Sequence, residues 1–183
     1  MTTTWEKDGY RLRPAEKEDA ESYCRGFLPV EPDIAHFTGC KESFTREEVL
    51  SFFYQCREDD SRRDFLLVAP NGDIAGESVL NEIDWEARCA NFRIAIFHPA
   101  DCSKGLGTWM TEMTLSYAFE MLKLHRVELD VFSFNPRAIR AYEKAGFRRE
   151  GVRREAIPYG GGWADDILMA VLEQEWQARA PTF

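Results

Sequence analysis

A chain of 183 residues, 44% hydrophobic and 30% charged, has the size and make-up of one ordinary globular domain; it carries no apolar run of membrane-spanning length and no N-terminal signal pattern. The net charge of −9 disfavours nucleic acid or an anionic membrane as partner and suits a cationic acceptor, although solubility alone makes many proteins acidic. Cys24, Cys40, Cys56, Cys89 and Cys102 are scattered without a C-x-x-C pair, and His36, His98 and His125 stand at no metal-ligand spacing, which argues against a disulfide framework or a zinc site and for a reducing, cytoplasmic setting.

In chain order, Tyr10–Arg13 reads as a strand and Ala15–Leu28 as a helix with Ala20, Tyr23, Cys24 and Phe27 on one face. After a loop from Pro29 to Lys41, Thr45-Arg-Glu-Glu48 fits a capping box that opens a helix through Val49, Phe52, Phe53 and Cys56. Phe65–Val68, the turn Asn71-Gly72 and Ile74–Ile83 form a hairpin, and Trp85–Arg88 turns the chain into a strand that ends at Phe97. Gly105 and Gly107 then open a helix with Leu106, Met110, Met113, Tyr117 and Met121 at helical spacing. A strand, a glycine-rich turn and a helix aim free backbone N–H groups at one spot beside the positive end of the helix dipole, which suits a phosphorylated ligand. The same glycines also fit a tight connection chosen for steric reasons.

Val127, Leu129 and Val131 alternate with polar residues as on a half-buried strand. Asn135-Pro136 caps and starts a helix that carries Ile139, Tyr142 and Ala145 on one face and stops at Gly146. Val152–Tyr159 and Trp163–Leu172 form a last hairpin around Gly160–Gly162; no helix pattern follows those glycines, so they read as a turn and not as a phosphate loop. The order βααβββαβαββ predicts an α+β fold, with seven strands in a mixed, mostly antiparallel sheet and helices on both faces.

Two segments carry a family likeness. Cys102-Ser-Lys-Gly105-Leu-Gly107 falls on the (Gln/Arg)-x-x-Gly-x-(Gly/Ala) loop of the GNAT acetyltransferases, and Asn135 to Phe147 follows their Asn…Ala…Tyr-Glu-Lys…Gly-Phe segment. The chain resembles this superfamily from Tyr10–Pro14 to Asp165–Met169, and within it the bacterial spermidine and ribosomal-protein N-terminal acetyltransferases. Cys102 and Ser103 depart from the pattern, which has Gln or Arg and then Gly. The lost side-chain donor weakens the grip on a pyrophosphate, while the main-chain donors do not depend on side-chain identity.

The resemblance implies one GNAT domain over residues 1–183, with Ile94–Phe97 and Val127–Ser133 splayed apart and acetyl-CoA in the gap. It assigns to the cosubstrate Ile94, Ala95, Ile96, Cys102, Ser103, Lys104, Gly105, Leu106, Gly107, Thr108 and Asn135, and implies no metal. Tyr142 matches the group that protonates the leaving CoA thiolate, against the plain alternative of a packed helix tyrosine. Glu82 is the candidate base, against that of an exposed strand-end carboxylate. The backbone around Ile96 would hold the oxyanion. Glu31, Asp33 and Glu77 are candidates for an amine pocket, and Trp85, Trp163 and Phe134 for an aromatic wall, core packing being the alternative for the rings. Arg137, Arg140 and Lys144 are candidates for the CoA 3′-phosphate, and His98 reads as structural. The partner expected is a small-molecule or peptide amine (a polyamine, a protein N-terminus or an aminoglycoside), with a homodimer left open. The rival reading is a non-catalytic module that senses acetyl-CoA or a polyamine.

Overall fold

The computed structural model describes residues 3–179. A short hairpin of β1 (Trp5–Lys7) and β2 (Tyr10–Pro14) opens the chain. Asp8 and Gly9 turn it, both at positive φ. Three residues are too few for a hydrophobic period, so β1 exists only through its pairing with β2; it makes eight strands where seven were expected. The first helix also starts later than Ala15. A 3-10 turn at Lys17–Asp19 precedes α1 (Ala20–Phe27), because the Asp19 carboxylate accepts the Glu16 N–H and both outer nitrogens of Arg13.

The Pro29–Lys41 segment holds a helix, α2 (Pro32–Thr38), started by Pro32 and stopped by Gly39 in the left-handed conformation. It buries only Ala35, so its sequence shows no apolar stripe. α3 (Arg46–Glu58) has the capping box of Thr45 and Glu48 in place. Then come β3 (Arg63–Val68), β4 (Ile74–Asp84), β5 (Cys89–Ile96), α4 (Leu106–Ser116) with a π-helical turn at Tyr117–Met121, β6 (Arg126–Phe132), α5 (Pro136–Ala145), β7 (Arg148–Tyr159), β8 (Gly162–Leu172) and α6 (Glu173–Gln177).

The strands run in the order β1-β2-β3-β4-β5-β6-β8-β7, and every neighbouring pair is antiparallel except β5–β6. This is the mixed, mostly antiparallel α+β sheet expected. One face packs on α4 and α5 through Leu80, Phe92, Leu115, Leu129, Val131 and Ile139. The other packs on α1 and α3 through Tyr23, Val49, Phe53, Leu66 and Ile74.

The parallel pair is short. Only Cys89–Asn91 pairs with Arg126–Glu128. Beyond it β5 stays in register with β4 as far as Gly76 opposite Ile96, and β6 stays with β8 as far as Phe132 opposite Asp166. The two strands diverge, and the edges that face each other have no ladder partner. Backbone polar groups left so require a partner from elsewhere.

α1 lies close on β4 at Gly26, where a Cβ would overlap the Ile74 carbonyl oxygen. Helix propensity alone would make Gly26→Ala stabilising by about 1 kcal/mol. A clash with strand backbone costs about 1–3 kcal/mol, so the expected result is a net loss of stability, read as a lower urea midpoint at unchanged slope.

Candidate active site

The gap between β5 and β6 widens into a cleft of about 640 Å³. Its walls are the β5 residues Asn91–Ile96, the loop residues Cys102, Ser103 and Gly105, and the start of α4 at Gly107 and Thr108. Opposite lie Asp130–Phe132 of β6 and Asn135, Arg137, Arg140, Tyr142 and Lys144 around α5. α2 adds Asp33, Ile34, Phe37 and Thr38, with Glu31 just before it.

The loop owes its shape to two residues at positive φ, Ser103 at 62° and Gly105 at 74°. A Cβ on Gly105 would touch nothing within 4 Å; glycine is there for the backbone conformation, not for space. The first intrahelical bond of α4 runs from the Trp109 N–H to the Gly105 carbonyl. The N–H groups of Leu106, Gly107 and Thr108 precede it and have no acceptor within the helix. With Arg137, Arg140 and Lys144 in the same cleft, these donors fit an anionic phosphate-bearing ligand. Cys102 lines the wall, its thiol 3.7 Å from the His98 carbonyl. Lys104 is held elsewhere: its Nζ donates to the Tyr10 hydroxyl at 2.8 Å and to Asp101 at 3.0 Å. Leu106 is buried beneath the loop. Neither is among the residues lining the cleft.

α5 presents Tyr142. The Asn135 side chain caps it by accepting the Ala138 N–H at 3.2 Å, Pro136 occupies the first turn, and Gly146 ends it at a φ of 108°. Edge-on contact with Phe92 (6.2 Å between centroids) and a tilted contact with Phe147 (5.8 Å) fix the ring. Burial, and next the charge of Asp130, push the phenol well above its usual range. It therefore holds its proton at neutral pH and is a donor in waiting.

Of the acidic and aromatic candidates, Glu31 and Asp33 line the cleft, whereas Glu77, Glu82 and Trp85 do not. Glu82 is exposed in an irregular stretch of β4, at a φ of 53°. Glu77 accepts from the Tyr23 hydroxyl at 2.9 Å and borders a separate small hollow with Cys56, Arg57 and Asp64. Burial, then the Asp64 charge, raises its carboxyl. Trp85 is half exposed, with the Arg63 guanidinium over its ring. Trp163 is exposed near the tip of the β7–β8 hairpin. Phe134 instead joins a cluster, stacked 4.1 Å from Tyr159 and 4.9 Å from His36. Phe37, Arg93 and Asp130 are cleft residues that the sequence reading missed. For Asp130 the signal was available: it alternates with Leu129 and Val131, so it had to face away from the α4–α5 core.

A family model described as "Acetyltransferase (GNAT) domain" matches residues 10–148. The spermidine N(1)-acetyltransferase of Escherichia coli (strain K12) is 30% identical over 172 residues, covering 94% of this chain and 90% of its own. The crystal structure of the Vibrio cholerae spermidine N-acetyltransferase in complex with CoA and spermine superposes with a TM-score of 0.82 at 25% identity, covering 93% of this chain and 99% of that one. A dodecameric structure of the Vibrio cholerae enzyme, in an intermediate state, gives a TM-score of 0.75 at 25% identity over 96% of this chain and all of the other.

The chain belongs to the GNAT acetyltransferase family. It is an N-acetyltransferase with acetyl-CoA as cosubstrate, which supplies an activated acetyl thioester. Among the described residues no cluster of three or more His, Cys, Asp or Glu could hold a metal ion, and no helix is long and apolar enough to cross a membrane.

Two measurements follow from the loop. Acetyl-CoA is expected to raise the thermal midpoint by mass action, and Gly105→Asp to abolish that rise, since it sets a carboxylate beside the phosphate donors and strains the backbone at a φ of 74°. Acetyl-CoA is also expected to slow alkylation of Cys102, read by peptide mass mapping, with the partly exposed Cys89, outside the cleft, as the internal reference.

Proposed function

We propose that the enzyme passes the acetyl group to a primary amine of a cationic acceptor, a polyamine first among candidates, by direct attack in a ternary complex. The observation that carries this reading is the composition of the cleft between β5 and β6. Free N–H groups and three cations suited to CoA phosphates lie together with Glu31 and Asp33, which suit an ammonium chain. The net charge of −9 adds long-range attraction for a polycation. The relatives named as spermidine acetyltransferases point to the same acceptor class.

In this mechanism Asn135 and the loop orient the cosubstrate, and a free backbone N–H on the unpaired edge of β5, near Ile96, receives the developing oxyanion. Tyr142 gives its phenol proton to the departing thiolate. Its raised pKa keeps the phenol protonated in the resting state, so the proton is in place when the thiolate forms. The dodecameric relative supports assembly of this chain with further copies of itself, and its acidity and free cysteines support a cytoplasmic setting.

The test is thiol release from acetyl-CoA against spermidine, spermine, an aminoglycoside and a peptide N-terminus. The polyamines are expected to give the highest kcat/KM; a preference for the peptide or the aminoglycoside would replace the acceptor class. With the best amine, Tyr142→Phe is expected to lower kcat about 10²-fold while acetyl-CoA affinity is kept. Unimpaired turnover by that variant would remove Tyr142 from the chemical step.

A further inference from the structure

An ammonium must lose a proton before it can attack, and Glu82 stands outside the cleft lining. A different pair of carboxylates lies where β6, β8 and β7 run side by side. Asp130 of β6 lines the cleft together with Tyr142. Asp166 of β8 stands opposite Phe132 in register, one pleat along on the same face of the sheet. Arg153 of β7 stands opposite Asp166. Its Nη1 lies 2.8 Å from Asp166 Oδ2 and 3.9 Å from Asp130 Oδ2.

Asp166 is only 3% exposed, yet its Oδ1 is buried without any hydrogen-bond partner. Buried carboxylate oxygens are ordinarily satisfied, so this one calls for a donor. One guanidinium serves two carboxylates, which leaves one negative charge in excess at the edge of the cleft. Burial raises the Asp166 carboxyl first of all, Arg153 opposes this, and the Asp130 charge raises it further.

We propose that Asp130 and Asp166 together accept the proton of the acceptor ammonium, Asp130 meeting it at the cleft and Asp166 storing it on its unpartnered Oδ1. This rests on the direct-attack reading above. Proton uptake turns the orphaned oxygen into an O–H donor, for which the neighbouring Asp130 carboxylate is an acceptor, and cancels the excess charge beside Arg153. The half-exposed side chain of Asp130 can meet the acceptor, while the buried Asp166 keeps the proton from bulk water.

The ammonium gives one proton to the pair, and the neutral nitrogen forms the N–C bond. The second nitrogen proton leaves to water. As the C–S bond breaks, sulfur takes the electron pair and then the Tyr142 phenol proton. The phenolate is restored by a proton from the water of the open cleft, and the pair gives its own proton to the same water. The net change is one amide, one thiol and one proton released.

Arg153 from β7 pairs with both carboxylates, and the other charged and titratable groups of the cleft that Asp130 lines include Glu31 and Asp33 at α2, Arg93 of β5, and Arg137, Arg140, Tyr142 and Lys144 of α5. Asp165, next to Asp166 on β8, has its carboxylate engaged by the Glu155 N–H.

The experiment is a pH profile of kcat/KM for Asp166→Asn with the best amine of the panel. The amide keeps the volume and an acceptor for Arg153 but cannot hold the proton. Loss of a general base is expected to cost roughly tenfold or more at pH 7. The deficit should close as pH approaches the amine pKa of about 10, where the acceptor loses its proton unaided, with acetyl-CoA affinity unchanged throughout. Asp130→Asn, whose side chain is half exposed, is expected to show the same profile and keeps the test independent of any folding defect in the buried variant. The same fractional loss at every pH, no loss in either variant, or a pH-dependent loss in Glu82→Gln with both aspartate variants unimpaired would each overturn the assignment. Failure of the wild-type enzyme to release thiol with any amine of the panel would instead overturn the acceptor reading on which it rests.

Discussion

The parting of β5 and β6 is the constraint from which the site follows. Two adjacent parallel strands gain ladder bonds by staying together, yet these separate after Asn91 and Glu128 because each remains bound to its outer neighbour, β5 to β4 and β6 to β8. The unpaired inner edges would be costly if left dry and unpartnered. A ligand with its own amide and carbonyl groups satisfies them as a further strand would, in the manner of β-augmentation. The cleft is thus a gap in the hydrogen-bond ladder, held open by the rest of the sheet.

The elements after the two strands inherit their placement from the same event. α4 begins just past the end of β5 and aims its free N–H groups along the opening; α5 begins just past the end of β6 and brings Tyr142 to the opposite wall. The helices pack on one face through Phe92, Leu115, Leu129 and Ile139. Packing sets the distance across the cleft between the glycine loop and the Tyr142 phenol. Apolar burial on the face away from the acceptor therefore underwrites the geometry of the chemistry.

On the other face the polar residues are sorted by how they are covered. Glu77 lies beneath α1, tied to Tyr23, and its carboxyl is committed to the interior. Asp130 and Asp166 lie farther along the sheet, where Asp130 reaches the cleft. Carboxylates on one face of one sheet thus meet opposite fates, decided by what covers them.

What the sequence by itself determined was local. The capping box at Thr45, the Asn135-Pro136 start, the Gly146 stop and the glycine turn at 105 and 107 depend on residues within a few positions of one another, and they stand in the structure where the pattern put them. The α+β class followed from the order of those elements, and the glycine loop and Tyr142, which line the cleft, were legible as candidates because both sit beside such signals. Only the tertiary structure decided the rest. β1 needed β2, and α2 buries too little to show a stripe. Alternation along a strand separates its two faces but does not say what covers either one. For that reason Glu77, Glu82 and Trp85 looked like site residues and do not line the cleft, while Asp130 and Asp166, far apart in sequence, are joined through Arg153 by the registers of β6, β8 and β7.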